Sequence, residues 1–540
     1  AEEGIDGKIV YLLVPETTAS AAALPEEIAE ELEKLRDSSF RAQIITVASS
    51  ASSASPESST SLSPPATPPN SFISPFTMAD VFVALEKILE ERREVSGIFH
   101  LWADAPFMNI HANREILDLH RRYLSEYIFA EGYPAGITGS ILVREIIPAL
   151  KKDGENISLR RNGIFETVRV NINAYDIETA VSPRDLRMLR LELFTDLQRN
   201  IRICENLPLK QEMKTDELCR IIEQKKMLYR SLPAFFALQL SGKYAQKCSY
   251  QVLPDLPGTD EFLSPDNFTL ILEKITEFVE DPIISLSLWG ELSLHPQLPR
   301  ILEIARSFSS APSSAPPRAA RAASPRAARA AARAARAASP RAAARFLIET
   351  SGIGWKADAC EELGKFPPGS LDLILCLDSI DPALYAQLRG SGYEEAMKFA
   401  EWSRAVFPGH FYAQALRMLE NEDHLIQFSQ HWKKEGVQFI IQKFNNFSNY
   451  LTQKRVADLS PLRRHECWHV KRDMVVDLIG QVFACPSHSI NQQDNLTYGN
   501  LLTDDIRKIW ARGEKLMNSH VKNALPEICQ TCDEWYTYNF

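Results

Sequence analysis

Residues 467–489 read CWHVKRDMVVDLIGQVFACPSHS, and residues 528–535 read ICQTCDEW. These two runs hold four of the chain's nine cysteines: Cys467, Cys485, Cys529 and Cys532. The other five, Cys204, Cys219, Cys248, Cys360 and Cys376, stand singly. An odd total argues against a disulfide framework and for a reducing cytoplasm, where a tight Cys group more often holds metal. The C-x2-C pair places two thiolates on one turn, and the two more distant cysteines complete four ligands. Four soft thiolates suit zinc or an iron–sulfur cluster and disfavour magnesium or calcium. Spacing alone leaves zinc and iron–sulfur open.

The order of features around the cysteines is informative. Cys467 opens a hairpin that turns at Asp477–Gly480, and Cys485 closes it. Gly499-Asn500-Leu501 follows, then DDIRKIW ending at Trp510, then the C-x2-C pair. This order resembles the SPASM domain appended to radical-SAM maturases, over nearly all of 459–540. The resemblance implies one auxiliary 4Fe-4S cluster held by Cys467, Cys485, Cys529 and Cys532. It also implies a radical-SAM barrel upstream.

Much of such a barrel is legible. Residues 284–296, ISLSLWGELSLHP, resemble that family's second strand with its Gly-Glu-Pro motif, which meets the amino group of S-adenosylmethionine. Gly290 and Glu291 stand in place, Leu292 replaces the Pro and Trp289 replaces the first Gly. Glu349-Thr350-Ser351-Gly352 resembles the family's Glu-Thr-Asn-Gly strand end. Leu377-Asp378 with Tyr385 and Arg389-Gly390 resembles its Leu-Asp…Tyr…Arg-Gly segment. By resemblance, Gly290, Glu291 and Asp378 mark an S-adenosylmethionine site.

The first strand departs from the pattern. Where the family carries C-x3-C-x2-C, this chain has Tyr244-Ala-Gln-Lys-Cys248-Ser-Tyr250-Gln251. Only the middle cysteine is present, and one thiolate cannot hold a cluster that leaves an iron open to S-adenosylmethionine. That cofactor is therefore not expected to be cleaved.

The N-terminal third alternates strand and helix: strands near 7–13, 42–47 and 96–103, helices near 25–36, 78–93 and 113–127. This is the rhythm of an α/β domain with a parallel sheet. FHLWADAP at 99–106 is a strand ending in an acid, followed by Pro. It resembles the Gly-Asp-Cys-Pro strand end of sugar-nucleotide cytidylyltransferases with the GT-A-type fold, where the acid meets magnesium. YIFAEGYPAG at 127–136 and the segment from Asp176 to Leu186 resemble later parts of that family. Asp104 and Glu178 are the resulting nucleotide and Mg²⁺ candidates. The loop at 14–24, PETTASAAA within it, lacks the Gly, Lys and Arg that would cradle phosphates.

Two segments interrupt the periodicity. Residues 49–77 are rich in Ser, Pro, Ala and Thr. Residues 307–345 repeat Arg-Ala-Ala, with Pro325 and Pro340 breaking any helix and no apolar stripe to dock one. Both are expected to be insertions into surface loops. The net charge is −10 although 318–345 carry eight Arg and no acid, so the remainder is strongly acidic and a nucleic-acid partner is not expected. No run of eighteen apolar residues exists to span a membrane. The chain begins with Ala1 rather than Met, so its natural start is expected upstream, and no secretory leader is visible.

The expected architecture is α/β: a GT-A/Rossmann-like domain over 1–200, a helical linker over 201–232, a partial (β/α)6 radical-SAM-like barrel over 233–458 and a Cys-rich SPASM domain over 459–540. Taken together, the three parts resemble the spirochaete-restricted spiro-SPASM group. Three functions are compatible with the residues. The first is an iron–sulfur protein whose barrel binds a peptide or protein partner without radical chemistry. The second is an active radical-SAM enzyme, with scattered cysteines supplying the missing ligands. The third is an Mg²⁺-dependent cytidylyltransferase-like enzyme.

Overall fold

A computed structural model describes residues 9–13, 44–46, 77–91, 93, 95–102, 104–157, 159–252, 261–309, 343–490 and 497–537. The expected loop at 14–24, helix at 25–36, most of the insertion at 49–77 and residues 310–342 of the Arg-Ala segment lie outside them. The chain is mixed α/β with two sheets, in two compact units divided at Tyr229/Arg230. That boundary falls inside the stretch expected as a helical linker. Helices Gln198–Asn206 and Thr215–Gln224 pack with Leu186, Leu189 and Leu193 in one core.

The N-terminal unit holds a six-stranded sheet in the order β2-β1-β3-β5-β4-β6. The strands are β1 (Ile9–Leu13), β2 (Ile44–Thr46), β3 (Gly97–Leu101), β4 (Tyr127–Glu131), β5 (Ser140–Val143) and β6 (Ile177–Val181). All pairings are parallel except those of β5, which runs antiparallel to β3 and β4. Alternation along β3 sends Ile98 into a core with Phe82 and Leu150 and sends Phe99 into another with Ile116 and Ile141. The helix expected at 113–127 instead spans Ile110–Tyr123. Asn109 caps it by accepting from Ala112 N at 2.9 Å, and Leu124 ends it in the left-handed region.

The second unit carries six parallel strands in sequential spatial order: β7 (Phe235–Leu238), β8 (Ile283–Ser285), β9 (Arg345–Thr350), β10 (Leu371–Cys376), β11 (Phe411–Arg417) and β12 (Gln438–Lys443). In a flat sheet, five spacings of about 4.8 Å would separate β7 from β12 by roughly 24 Å. Phe235 of β7 nevertheless shares a core with Leu347, Ile374 and Ile440 of β12. The sheet is therefore curled into a partial barrel. Helix starts are chemically marked: Ser264 accepts from Asn267 N at 3.2 Å ahead of Pro265, and Asp381 accepts from Leu384 N at 2.7 Å ahead of Pro382.

The barrel does not close on itself. The free side of β7 pairs in parallel with β13 (Asp473–Val476), which turns into β14 (Gln481–Phe483) and β15 (Gly499–Asn500) to complete a nine-stranded sheet. Gly480 lies at φ +82°, where an added Cβ would meet Leu502 at 2.6 Å, so the hairpin turn requires glycine.

The Arg-Ala segment leaves and re-enters the barrel at one point. Ala344 N donates to Phe308 O at 2.8 Å, and Arg345 N donates to Pro282 O at 3.0 Å. Because Phe308 and Ala344 are already joined, the length of the segment between them matters little to stability. Replacement of residues 310–342 by a short Gly-Ser linker is expected to leave the melting temperature within about 2 °C of wild type. Loss of soluble protein, or a larger fall in a thermal-shift measurement, would show that the segment packs on the barrel.

Candidate iron–sulfur site and barrel cavity

The four C-terminal cysteines reach one place from three separate segments. Cys467 precedes the helix Trp468–Arg472, Cys485 follows β14, Cys529 lies in the short helix Glu527–Gln530 and Cys532 lies just beyond it. All four line a single cavity of about 390 Å³ in the second unit. Burial pushes the Cys467 and Cys485 thiols up, and the other thiols of the set push them further. Burial pushes the Cys532 thiol up as well, so these three thiols resist ionisation until a metal centre supplies the opposing charge.

Polar groups surround the sulfurs. His488 Nε2 lies 3.5 Å from Cys529 Sγ, and Glu534 N donates to Cys532 Sγ at 3.3 Å. Arg464 donates to the carbonyls of Cys529 at 2.6 Å and Cys532 at 3.3 Å. Trp468 N donates to Trp535 O at 3.0 Å, which ties the Cys467 segment to the C-x2-C segment. Among the described residues no three His, Cys, Asp or Glu side chains close on one point of single-ion size. Zinc at about 2.3 Å from each sulfur would need thiolates roughly 3.8 Å apart. An iron–sulfur cluster takes its thiolates on separate irons and so holds them wider. The donor set fits such a cluster: four thiols, with an N–H group aimed at one sulfur.

The cysteine domain is joined to the barrel by side chains as well as by the sheet. Trp510 Nε1 donates to Ser231 O at 3.2 Å, and the Arg230 guanidinium stacks on the Trp510 ring at 3.5 Å. Lys274 donates to Leu501 O at 2.6 Å and to Asp504 O at 3.1 Å. Trp289, at φ +46° where the resembled motif has Gly, donates from Nε1 to Ser489 Oγ at 3.0 Å. Lys443, ending β12, pairs with Asp533 at 3.0 Å and with Glu534, near Cys532.

Gly290, Glu291 and Asp378 line the same cavity, as do Tyr244, Cys248 and Gln251. Gly290 lies at φ +65°, and a Cβ there would stand 2.1 Å from Ser241 O. Glu291 is buried, and its carboxylate accepts from Thr350 Oγ1 at 2.6 Å and from Ser351 N and Oγ at 2.8 and 2.6 Å. Asp378 accepts from Arg389 at 2.8 Å, from Leu416 N at 2.8 Å and from the Tyr250 hydroxyl. Arg389 also reaches Tyr250 Oη at 2.7 Å and Gln246 Oε1 at 3.2 Å. The segment aligned with the three-cysteine motif is thus pinned by Tyr250 and Gln246, while Gln251 Oε1 accepts from Cys248 N at 3.2 Å. Burial pushes the Cys248 thiol up. Of the scattered cysteines, Cys376 joins Cys248 at the cavity. Cys360 lies in the helix Ala357–Leu363, and Cys204 and Cys219 are buried in the N-terminal unit.

Sequence reasoning did not anticipate the helix Pro382–Arg389, which delivers Arg389, nor the inward placement of Gln414 and Gln442. The Asp381-Pro382 start signal could have revealed the helix.

In the N-terminal unit, Asp104 receives both arms of Arg161, one at 3.0 Å, and Arg161 also holds Asp196 at 2.9 Å. The guanidinium lies 3.6 Å from the Phe194 ring centroid. Glu178 lies on β6, three strands from β3, or roughly 14 Å across the sheet. Its carboxylate accepts from Thr179 N at 3.2 Å. The two acids expected to act as a pair are therefore separate.

Asp378 and Arg389 side chains are 1% and 8% exposed, so removing one partner strands a buried charge. Asp378→Asn is expected to cost about 3–5 kcal/mol of unfolding free energy in a denaturant titration. The double variant with Arg389→Met should recover part of that loss. An unchanged midpoint in the single variant would show the pair to be solvated.

Comparison with known proteins agrees with the cysteine domain. An uncharacterized protein of Treponema pallidum (strain Nichols) is 29% identical over 392 residues, covering 70% of this chain and 98% of that protein. A second uncharacterized protein of the same strain is 40% identical over 57 residues, 11% of this chain and 26% of that protein. Among solved structures, Streptococcus suis SuiB bound to precursor peptide SuiA aligns with a TM-score of 0.40 at 14% identity, covering 58% of this chain and 74% of that one. The anSMEcpe protein with bound AdoMet aligns at 0.38 and 11% identity, covering 56% and 87%. Residues 467–533 match the family model of SPASM, an iron–sulfur cluster-binding domain.

Proposed function

We propose that Cys467, Cys485, Cys529 and Cys532 hold one 4Fe-4S cluster, and that the attached barrel is a degenerate radical-SAM scaffold that binds a peptide or protein partner without cleaving S-adenosylmethionine. The observation that carries the first half is that four thiols from three segments line one cavity within the SPASM match. The match of 467–533 to an iron–sulfur cluster-binding domain favours a cluster over zinc. The two Treponema pallidum relatives favour the spiro-SPASM assignment. On this reading 233–458 is the barrel, 459–540 the cluster domain and 1–200 a GT-A-like domain. The Asp104–Arg161 pair disfavours Mg²⁺ at that acid. The free thiols favour a reducing cytoplasm.

Two features support the absence of radical chemistry. The cavity positions aligned with the outer cluster ligands hold Tyr244 and Gln251, a phenol and an amide that do not replace soft thiolates at iron. The charged residues near them are already bound to one another or to neighbouring donors, Asp378 to Arg389 and Glu291 to Thr350 and Ser351. One observation keeps a second reading in view: Cys376 lines the same cavity as Cys248, giving the barrel two thiols.

Anaerobically purified protein should contain about four iron and four sulfide per chain. Cys529→Ser should bleach its absorbance. Stoichiometric zinc without sulfide would replace the cluster with a structural zinc site. Reduced, reconstituted protein incubated with S-adenosylmethionine should release no 5′-deoxyadenosine. Turnover that vanishes in both Cys248→Ala and Cys376→Ala would restore the radical-enzyme reading.

A further inference from the structure

The barrel interior is layered. Alternate residues of a strand face the same side. On β7, β9, β10, β11 and β12, Phe235, Leu347, Ile374, Tyr412 and Ile440 form an apolar layer. Two residues further along four of these strands, the inward position is polar: Glu349, Cys376, Gln414 and Gln442, joined by Ser285 of β8. All five line the cavity. A buried polar layer above an apolar one is costly unless its groups are matched. Within the layer, Gln414 Nε2 donates to Cys376 Sγ at 3.5 Å.

Glu349 is the layer's one formal charge, and its situation is unlike that of the other charges around the cavity. Asp378 has Arg389, Glu291 has three donors from Thr350 and Ser351, and Lys443 has Asp533 and Glu534. No ion pair among the described residues includes Glu349. The side chain keeps some exposure only because it faces the cavity, and burial pushes its carboxyl up. A cation brought in by a ligand would reverse that shift.

We propose that this layer binds a ligand bearing a primary ammonium group, with Glu349 as its counter-ion and Ser285, Gln414 and Gln442 as further acceptors. The group could be presented by a free amine or by the lysine side chain of a peptide. A compact ammonium with three donors suits acceptors spread around it on separate strands, as Ser285 of β8, Gln414 of β11 and Gln442 of β12 are, whereas a planar guanidinium is best matched by one carboxylate in its own plane. The inference rests on the barrel being a binding cleft and is independent of what the C-terminal cysteines hold.

The test is calorimetric titration of the full-length, as-purified protein with three probes: 1,5-diaminopentane, the peptide acetyl-Ala-Lys-Ala-amide and its norleucine counterpart. The lysine peptide or the diamine should bind at least about tenfold tighter than the norleucine peptide, which corresponds to roughly 1.4 kcal/mol. The stronger of the two cationic probes identifies the source of the amine. Glu349→Gln should abolish the discrimination, and because it removes a buried unpaired charge it should not lower the melting temperature. Should that variant not be recovered folded, Gln414→Lys, which places an ammonium beside Glu349, should block both cationic probes. Binding of neither cationic probe more tightly than the norleucine peptide overturns the ammonium site while leaving the cleft. Binding by none of the three overturns both. Discrimination that survives Glu349→Gln or Gln414→Lys assigns the cation elsewhere and also overturns the proposal.

Discussion

The pairing of Asp473–Val476 with Phe235–Leu238 is the constraint on which the second unit depends. A parallel barrel strand left with a bare edge exposes a row of unpaired N–H and C=O groups. Here the cysteine domain's own hairpin takes that edge, extended at both ends by Ala234 N to Arg472 O at 2.8 Å and Gln239 N to Val476 O at 2.9 Å. Val475 and Phe483 of the hairpin consequently enter the barrel core beside Leu347 and Ile374. The cysteine domain is thus part of the barrel's wall. Cys467 and Cys485, which flank its hairpin, and the barrel's inward residues thus line one cavity.

Once that cavity exists, desolvation governs what can line it. An ion removed from water needs a partner with good geometry or it shifts to its neutral form. Glu291, Asp378 and Lys443 each meet this requirement within the protein. In the N-terminal unit Asp104 does the same through Arg161, whose stacking on Phe194 holds the guanidinium in place. A carboxylate so engaged can serve a ligand or metal only by releasing its present donors. This is a physical reason to separate an acid at a strand end, which sequence can locate, from an acid available for chemistry, which it cannot.

The legibility of the sequence follows the same division. Strands β7 to β12 could be read from their apolar runs, and the helix after β7 from its Ser264-Pro265 start, whereas the short helix Pro382–Arg389 could not. The four cysteines and Trp510 could be read because their spacing and chemistry are uncommon. Strands β4 to β6 were illegible: β4 abuts a helix whose end is marked by Leu124 at φ +55°, a position where glycine is the usual signal. The polar layer was illegible for another reason. Glu349, Gln414 and Gln442 each lie within a short strand, and only the curl of the sheet brings them to one side of a common space.

The residues that resemble an S-adenosylmethionine site also have sufficient structural reasons to be where they are. At Gly290 any side chain would collide with the Ser241 carbonyl. Asp378, itself at φ +64°, fixes Arg389 at the end of the Pro382–Arg389 helix and the Leu416 amide through one carboxylate. Glu291 fastens the end of β9 to the loop after β8. Packing alone would hold these letters in the sequence whether or not a ligand ever binds. Cluster thiols at the positions of Tyr244 and Gln251 would have had no such structural role, because a ligating cysteine there contributes through iron alone. Gln251 instead accepts from the Cys248 amide, and Tyr244 fills the cavity wall. Gly290, Glu291 and Asp378 are thus accounted for by packing and hydrogen bonding, and Gln251 by its bond to the Cys248 amide.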